Sequence, residues 1–446
     1  MKKSIITLLI MAFSAIQSIA QIDLHSHAIT KGYIDYIKSN GAEMDEGFPI
    51  PAWDVEKHLA FMDEVGIQTS VLTMPAPQPY FGDAEASALV CRRFNEECAA
   101  LKARYPDRFM FCAALPLPDV NAAIREAVYA LDTLKADGVK LATNAYGQYL
   151  GVPELDTLFS VLNERRAVVI LHPHRPEPVN RQVMQQTPLA MQEYLSETTR
   201  AVANMITRNV LARYPNVKVV VPHCGAYLPL AVPRMKSLTA VMQANKMVGE
   251  IDWQANLNSL YFDLAGAHSP EVIRMMLTIT TPDHLLYGSD YPYVAPQVLV
   301  KSLQRMQQYL IDEPDLEPYK EMILYKNALK LFGKTNEESA SPVNTDEKIV
   351  RLAEIEVVPE FLEEYMAFAK EVGETSVKVE PGVPTLFSMQ TKEDPCKIYI
   401  LEIYADQEAY QSHIQTAHFK KYKEGTAQMV KSLKLIDVNP LAGKVW

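Results

Sequence analysis

Ala167-Val168-Val169-Ile170-Leu171-His172-Pro173-His174-Arg175-Pro176 begins as an unbroken apolar run and ends in histidine, proline and arginine. An apolar run without polar alternation is how a strand reads when helices cover both faces of a parallel sheet. The same form recurs on either side of it. Upstream lie Gln21 to His27, Thr69 to Met74, Arg108 to Leu115 and Gly138 to Ala142; downstream lie Val217 to His223, Leu260 to Asp263 and His284 to Asp290. Helix-like segments, such as Val55 to Glu64 and Val120 to Lys135, fall between them. Eight strands alternating with helices over residues 21–335 predict an α/β fold, a (β/α)8 TIM barrel.

The chain around this region divides further. Residues 1–20 hold Lys2 and Lys3, an apolar run from Ile5 to Ile16 and the small-x-small triplet Ser18-Ile19-Ala20. That is the order of a secretory signal peptide, with an apolar run too short to span a bilayer. The mature protein is expected to be exported, periplasmic or secreted, with no membrane partner. Residues 336–346 are polar and without an apolar period, as in an interdomain linker. After them, residues 347–440 run strand (Val350 to Val357), helix (Glu360 to Val372), hairpin (Thr385 to Gln390, Lys397 to Ile403) and helix (Gln407 to Glu424). That order predicts a small ferredoxin-like α+β domain.

A net charge of −11 argues against nucleic acid and anionic membranes as partners. The five cysteines are widely spaced and odd in number, so they form no disulfide framework, although an incidental pair stays open. Cys91 and Cys98 stand two helical turns apart, too far for a bridge within one helix.

Polar residues at the carboxyl ends of barrel strands form the active site in this architecture. His25 and His27 end the first strand and, one residue apart, point the same way. His172 and His223 end two later strands, and Asp290 ends the last, in Gly288-Ser289-Asp290. Imidazoles and a carboxylate on one rim suit one divalent ion, zinc first, with manganese or iron also compatible with these donors. Any one of these histidines alone reads more readily as a hydrogen-bonded surface or core residue than as a ligand; the joint pattern does not. His174 and His268 follow strand ends and are expected to line the pocket. His58, within a helix, and His284, at the opposite end of its strand, are expected to be structural.

Asp23-Leu24-His25-Ser26-His27, Leu171-His172-Pro173, Pro222-His223-Cys224-Gly225-Ala226-Tyr227-Leu228-Pro229 and Tyr287-Gly288-Ser289-Asp290-Tyr291-Pro292 together resemble the amidohydrolase-related decarboxylases, the relatives of aminocarboxymuconate-semialdehyde decarboxylase. The loop Phe48-Pro49-Ile50-Pro51-Ala52-Trp53, with Met62 to Ile67 and Met74 to Pro77, is similar to the branch containing 6-methylsalicylate decarboxylase. The resemblance implies that His25, His27, His172 and Asp290 bind the metal and that His223 is the acid/base beside it. Decarboxylation of a small aromatic, hydroxybenzoate-like acid follows, with Asp290 or His223 moving the proton to the ring carbon. Arg175 or Arg234 is a candidate partner for the substrate carboxylate, and Phe48 and Trp53 are candidates to cover its ring. Hydrolysis of a lactone or ester is the alternative on the same barrel. A third class, a non-catalytic exported binding protein, fits poorly with five intact site residues.

Glu402 to Tyr410, then His413 and Thr416-Ala417-His418-Phe419, resemble the antibiotic-biosynthesis monooxygenases in their quinol-monooxygenase-like branch. The resemblance implies a domain that dimerises through its sheet, giving a homodimer. It also implies a pocket lined by Glu402, His413 and His418 that needs no cofactor. Oxidation of the phenolic product, isomerisation and a purely dimerising role all remain open.

Overall fold

Alternating apolar runs and helices build what their order predicts. The computed structural model describes residues 21–42, 44–45, 47–180, 182, 187–334, 349–380, 382–404 and 407–438. The signal-peptide and linker readings lie outside the described residues. The chain divides in sequence into two compact units, residues 1–335 and 336–446.

In the first unit, eight parallel strands stand in chain order. They are β1 (Gln21–His27), β2 (Ile67–Thr73), β3 (Phe109–Ala114), β4 (Gly138–Ala142), β5 (Val168–His172), β6 (Lys218–Val221), β7 (Leu260–Asp263) and β8 (Leu285–Leu286). The last is far shorter than the seven-residue run in the sequence, because Tyr287 to Asp290 leave the regular ladder. They still close the barrel. Leu24 N–H donates to the Tyr287 carbonyl at 3.0 Å, Asp290 N–H to His25 at 2.7 Å and His27 N–H to Tyr291 at 2.8 Å. Buried Asp23 locks this seam by accepting from Ser289 N–H (2.9 Å) and Ser289 Oγ (2.6 Å).

Outward side chains such as Phe111, Leu141, Val169 and Phe262 join the helices in the main core. Inward ones, among them Val71, Met110, Ile170 and Val220, form a smaller cluster beneath the barrel mouth. The β1–β2 pairing shifts register between Asp23 and Ser26. There the inward set passes from Ile22 and Leu24 to His25 and His27, as a bulge re-aims a strand. Helix Val55–Val65 matches expectation, but the predicted helix from Val120 ends as an α-helix at Val128 and continues as one π-turn to Thr133. All five cysteines are free.

The second unit is an antiparallel sheet in the order β10-β11-β9-β12. Its strands are β9 (Ile349–Val357), β10 (Thr385–Gln390), β11 (Lys397–Tyr404) and β12 (Val430–Asp437). Helices α1 (Leu362–Val379), α2 (Gln407–His413) and α3 (Ala417–Gly425) complete it, a ferredoxin-like arrangement. The sequence reading missed β12, whose Lys431 and Lys434 suit an exposed edge. The single helix expected from Gln407 to Glu424 is two, because Thr416 caps a new start by accepting from Phe419 N–H. No helix among the described residues is long and apolar enough to cross a membrane.

Candidate metal centre and its pocket

Side chains from β1 and β5 and from the turn after β8 converge at the carboxyl end of the barrel. Donor atoms of His25, His27, His172 and Asp290 all lie within 4.8 Å of one another. The ring centroids of His25 and His27 are 5.1 Å apart, and those of His27 and His172 4.8 Å apart.

Hydrogen bonds on the far side of each ring fix which nitrogen faces inward. His25 Nδ1 donates to Asp263 Oδ2 at 2.9 Å, since a carboxylate can only accept. His172 Nδ1 donates to the Pro173 carbonyl at 2.9 Å. Thr73 Oγ1 gives its proton to the Ser26 carbonyl, so His27 Nδ1, 2.8 Å away, is the donor in that pair. All three Nε2 atoms therefore turn toward one point. Nε2 of His25 and of His27 are buried without a hydrogen-bond partner and lie 3.6 and 3.3 Å from Asp290 Oδ1.

The charges are arranged for a cation. Burial alone would lower His25, but Asp263 and Asp290 outweigh it and push its pKa up to about 9. Burial holds His27 down to about 4 and His172 well below its usual range. Burial opposes ionisation of Asp290, yet the nearby His223 and His27 rings and the His25 charge keep its carboxyl well below the usual carboxylate range. A proton on His25 Nε2 thus stands where a divalent ion neutralises the same carboxylates. The orphaned nitrogens and the mixed imidazole–carboxylate donors fit such an ion; these four residues form a metal-binding site.

His223 lies beside the four donors rather than among them. Its Nε2 is 3.7 Å from Asp290 Oδ2, and its backbone N–H donates to Asp263 Oδ1 at 3.1 Å. His223, Cys224, Ala226 and Asp290 all have positive φ, strain that the rim holds in place. Asp263, at the end of β7, thereby positions both His25 and His223. Sequence reasoning placed its strand but not its role, although the strand-end rule that selected His172 applies to it equally.

A cavity of about 440 Å3 opens over His172, His223 and Asp290. Its walls are largely apolar, with Phe48, Met191, Leu195, Val272, Met275 and Val294 among them. The other expected pocket residues lie elsewhere. His174 and Arg175 face a smaller cavity with Tyr80 and Lys140, and Arg175 pairs with Glu177. Trp53 donates through Nε1 to His58 at 3.1 Å. His268 bonds Ser302 and Tyr309, and Arg234 is exposed on helix Leu228–Ala244. Met191, Tyr194 and Tyr293, which do line the pocket, sit on irregular or amphipathic segments with no motif to mark them.

In the second unit, Glu402 and His413 line a cavity of about 370 Å3 between sheet and helices. His418 touches it only indirectly, through Glu380.

Residues 22–334 match the amidohydrolase family model, and residues 348–425 match that of the antibiotic biosynthesis monooxygenases. The chain is 33% identical to decarboxylase yanB of Aspergillus niger over 325 residues, covering 70% of this chain and 87% of that one. It is 29% identical to 6-methylsalicylic acid decarboxylase of Penicillium expansum, covering 66% and 91%. Among solved structures, the 5-carboxyvanillate decarboxylase of Novosphingobium aromaticivorans, crystallised with manganese and 4-hydroxy-3-methoxy-5-nitrobenzoic acid, aligns with a TM-score of 0.63 at 21% identity, covering 70% and 96%.

Proposed function

The chain belongs to the amidohydrolase family, and on that premise we propose that its barrel is a metal-dependent carboxy-lyase acting on a small hydroxybenzoate-like acid. One observation carries the reading: three inward Nε2 atoms and Asp290 form the polar floor of an otherwise apolar, ring-sized pocket, with His223 at its edge.

A divalent ion would be held by His25, His27, His172 and Asp290 and would supply Lewis-acid chemistry toward the substrate's carboxyl group. The protein's own groups do the rest. Phe48, Met191 and Val294 hold the ring and exclude water. As the ring carbon's bond to the carboxyl group breaks, CO2 leaves and the electron pair stays on that carbon. His223 delivers a proton there and recovers one from solvent, to which it is partly open. Asp290, kept ionised, is the ligand rather than the proton donor. No lysine or arginine lines this pocket among the described residues, so no side-chain cation competes for the carboxylate. Three imidazoles favour zinc by donor type, while the solved 5-carboxyvanillate decarboxylase was crystallised with manganese; metal analysis of the purified protein decides between them.

The enzyme is proposed to work outside the cytoplasm, from the leader-like residues 1–20. It is proposed to dimerise through the outer face of the C-terminal sheet. There Phe387, Leu401, Leu352 and Ile436 pair in register as an apolar row across all four strands, Phe387 being 60% exposed. The C-terminal cavity is proposed to receive the phenolic product. The test is CO2 release from alkyl- and hydroxy-substituted salicylates by metal-loaded protein, beside lactone hydrolysis. Hydrolysis without CO2 release would replace the carboxy-lyase reading with the hydrolytic one.

A further inference from the structure

Three donors from three elements of the C-terminal unit meet at one point. Glu380 stands just beyond α1, His413 ends α2 and His418 lies in the first turn of α3. His413 Nδ1 is 2.9 and 3.2 Å from the two oxygens of the Glu380 carboxylate, and His418 Nε2 is 2.6 Å from Oε1. One donor atom from each residue lies within 4.8 Å of the other two. The side chains of His413, Glu380 and His418 are 1%, 11% and 19% exposed, so the group is sunk below the surface and open on the His418 side. Neither Glu380 nor His418 lines the cavity between sheet and helices, so the donors converge beside it rather than in it.

Glu380 is set apart by its counter-charge. Other buried carboxylates pair with a fixed cation: Glu126 with Arg92, Glu197 with Arg200 and Asp137 with Lys102. Among the described residues Glu380 pairs with imidazoles alone, which carry no permanent charge. Burial opposes its ionisation, yet hydrogen bonds from His418 and His413 keep its carboxyl below the usual range. The same company marks the barrel's metal centre, where two imidazole nitrogens lie 3.6 and 3.3 Å from Asp290 Oδ1.

We propose that Glu380, His413 and His418 bind a second divalent transition ion, zinc or ferrous iron by donor type, which clasps the end of α1 to α2 and to the start of α3. Two imidazoles and one carboxylate are a recurrent set for such ions, with positions left for water. Tetrahedral donors stand about 2.0–2.2 Å from the ion and so about 3.3 Å from one another. Here ring protons bridge them and draw them closer. The ion takes the place of these protons and the rings swing outward by roughly 0.5 Å. Each ring then carries its proton on the far nitrogen, His413 on Nε2 and His418 on Nδ1.

In the experiment, full-length protein is stripped with a chelator, equilibrated with micromolar zinc and freed of excess by gel filtration, and its zinc is counted by mass spectrometry. Wild type should hold two ions per chain, His172→Ala one, His418→Ala one and the double variant none. Glu380→Gln, which keeps the side chain's size, should match His418→Ala, and circular dichroism checks that each variant is folded. In the His172→Ala background, cobalt in place of zinc should give a visible absorption band that His418→Ala removes. A single ion that is lost in His172→Ala overturns the proposal. So does a second ion that survives in folded His418→Ala and Glu380→Gln, or one that binds only at millimolar zinc. A single ion that stays in His172→Ala and leaves with His418→Ala supports this site and removes the barrel's own.

Discussion

Asp263 holds two histidines at once: its Oδ2 accepts from His25 Nδ1 at 2.9 Å, and its Oδ1 from the His223 backbone N–H at 3.1 Å. One carboxylate thus aims a metal donor and the loop that carries the acid/base. Asp263→Asn keeps the shape and removes the charge. Metal affinity is expected to fall by about 10- to 100-fold, measured by competition with a chelator of known affinity.

Gly288 lies under this pair. A Cβ there would come 2.7 Å from His25 Cβ and 3.2 Å from Asp263 Cβ. Both neighbours are fixed by the barrel, so Gly288→Ala must displace His25. The variant should fold yet hold little metal in the barrel, with the ion-to-protein ratio by mass spectrometry as the readout.

His223 and His172 should separate cleanly. His223→Asn is expected to retain the ion and lose about 10²- to 10⁴-fold in CO2 release, the usual worth of a positioned acid. His172→Ala removes a donor and should lose ion and activity together. Equal metal loss in both variants would place His223 among the ligands instead.

Acid should destabilise the barrel through His58. Burial lowers its pKa from 6.5 to about 3, and its ring nitrogens are engaged by Trp53 and Ser70. The unfolded chain takes up this proton first, so the stabilisation is complete above pH 6.5 and is lost as pH falls toward 3. One such proton gives a slope of about 1.4 kcal/mol per pH unit within that window. His268, lowered to about 4 mainly by burial, adds in the same direction. Denaturant midpoints from pH 7 to 4 should fall, and His58→Gln should flatten the trend.

Leu401 and Leu352 are paired at the centre of the apolar row on the C-terminal sheet. Leu401→Lys places a charge there, and light scattering should report a monomer that still loads metal in the barrel. A wild-type monomer would remove the dimer proposal.

The barrel was legible because its strands are unbroken apolar runs, and its donors because they stand at the ends of those runs. His25, His27, His172 and Asp290 needed no long-range information. What escaped notice depends on contacts between segments far apart in sequence. Asp263 matters only because it reaches His25, and Glu380 only because α2 and α3 bring two histidines to it. For Trp53 and His268 long-range contacts decide between the open readings: each side chain is engaged by a neighbour, His58 for Trp53 and Ser302 for His268. The missed strand β12 is an edge that carries Lys431 and Lys434, and its apolar alternation is confined to Leu433-Lys434-Leu435, too short a run to mark a strand.

The barrel's seam also sets a timetable. His25 and His27 leave the ribosome ahead of the rest of the barrel, whereas Asp290 and the Tyr287 carbonyl that clasps β1 come only after every other barrel strand has been made. A stalled or truncated chain therefore carries the histidines without the clasp or the carboxylate. It cannot build the full ligand set, and capture of the ion becomes a certificate that translation of the barrel has finished.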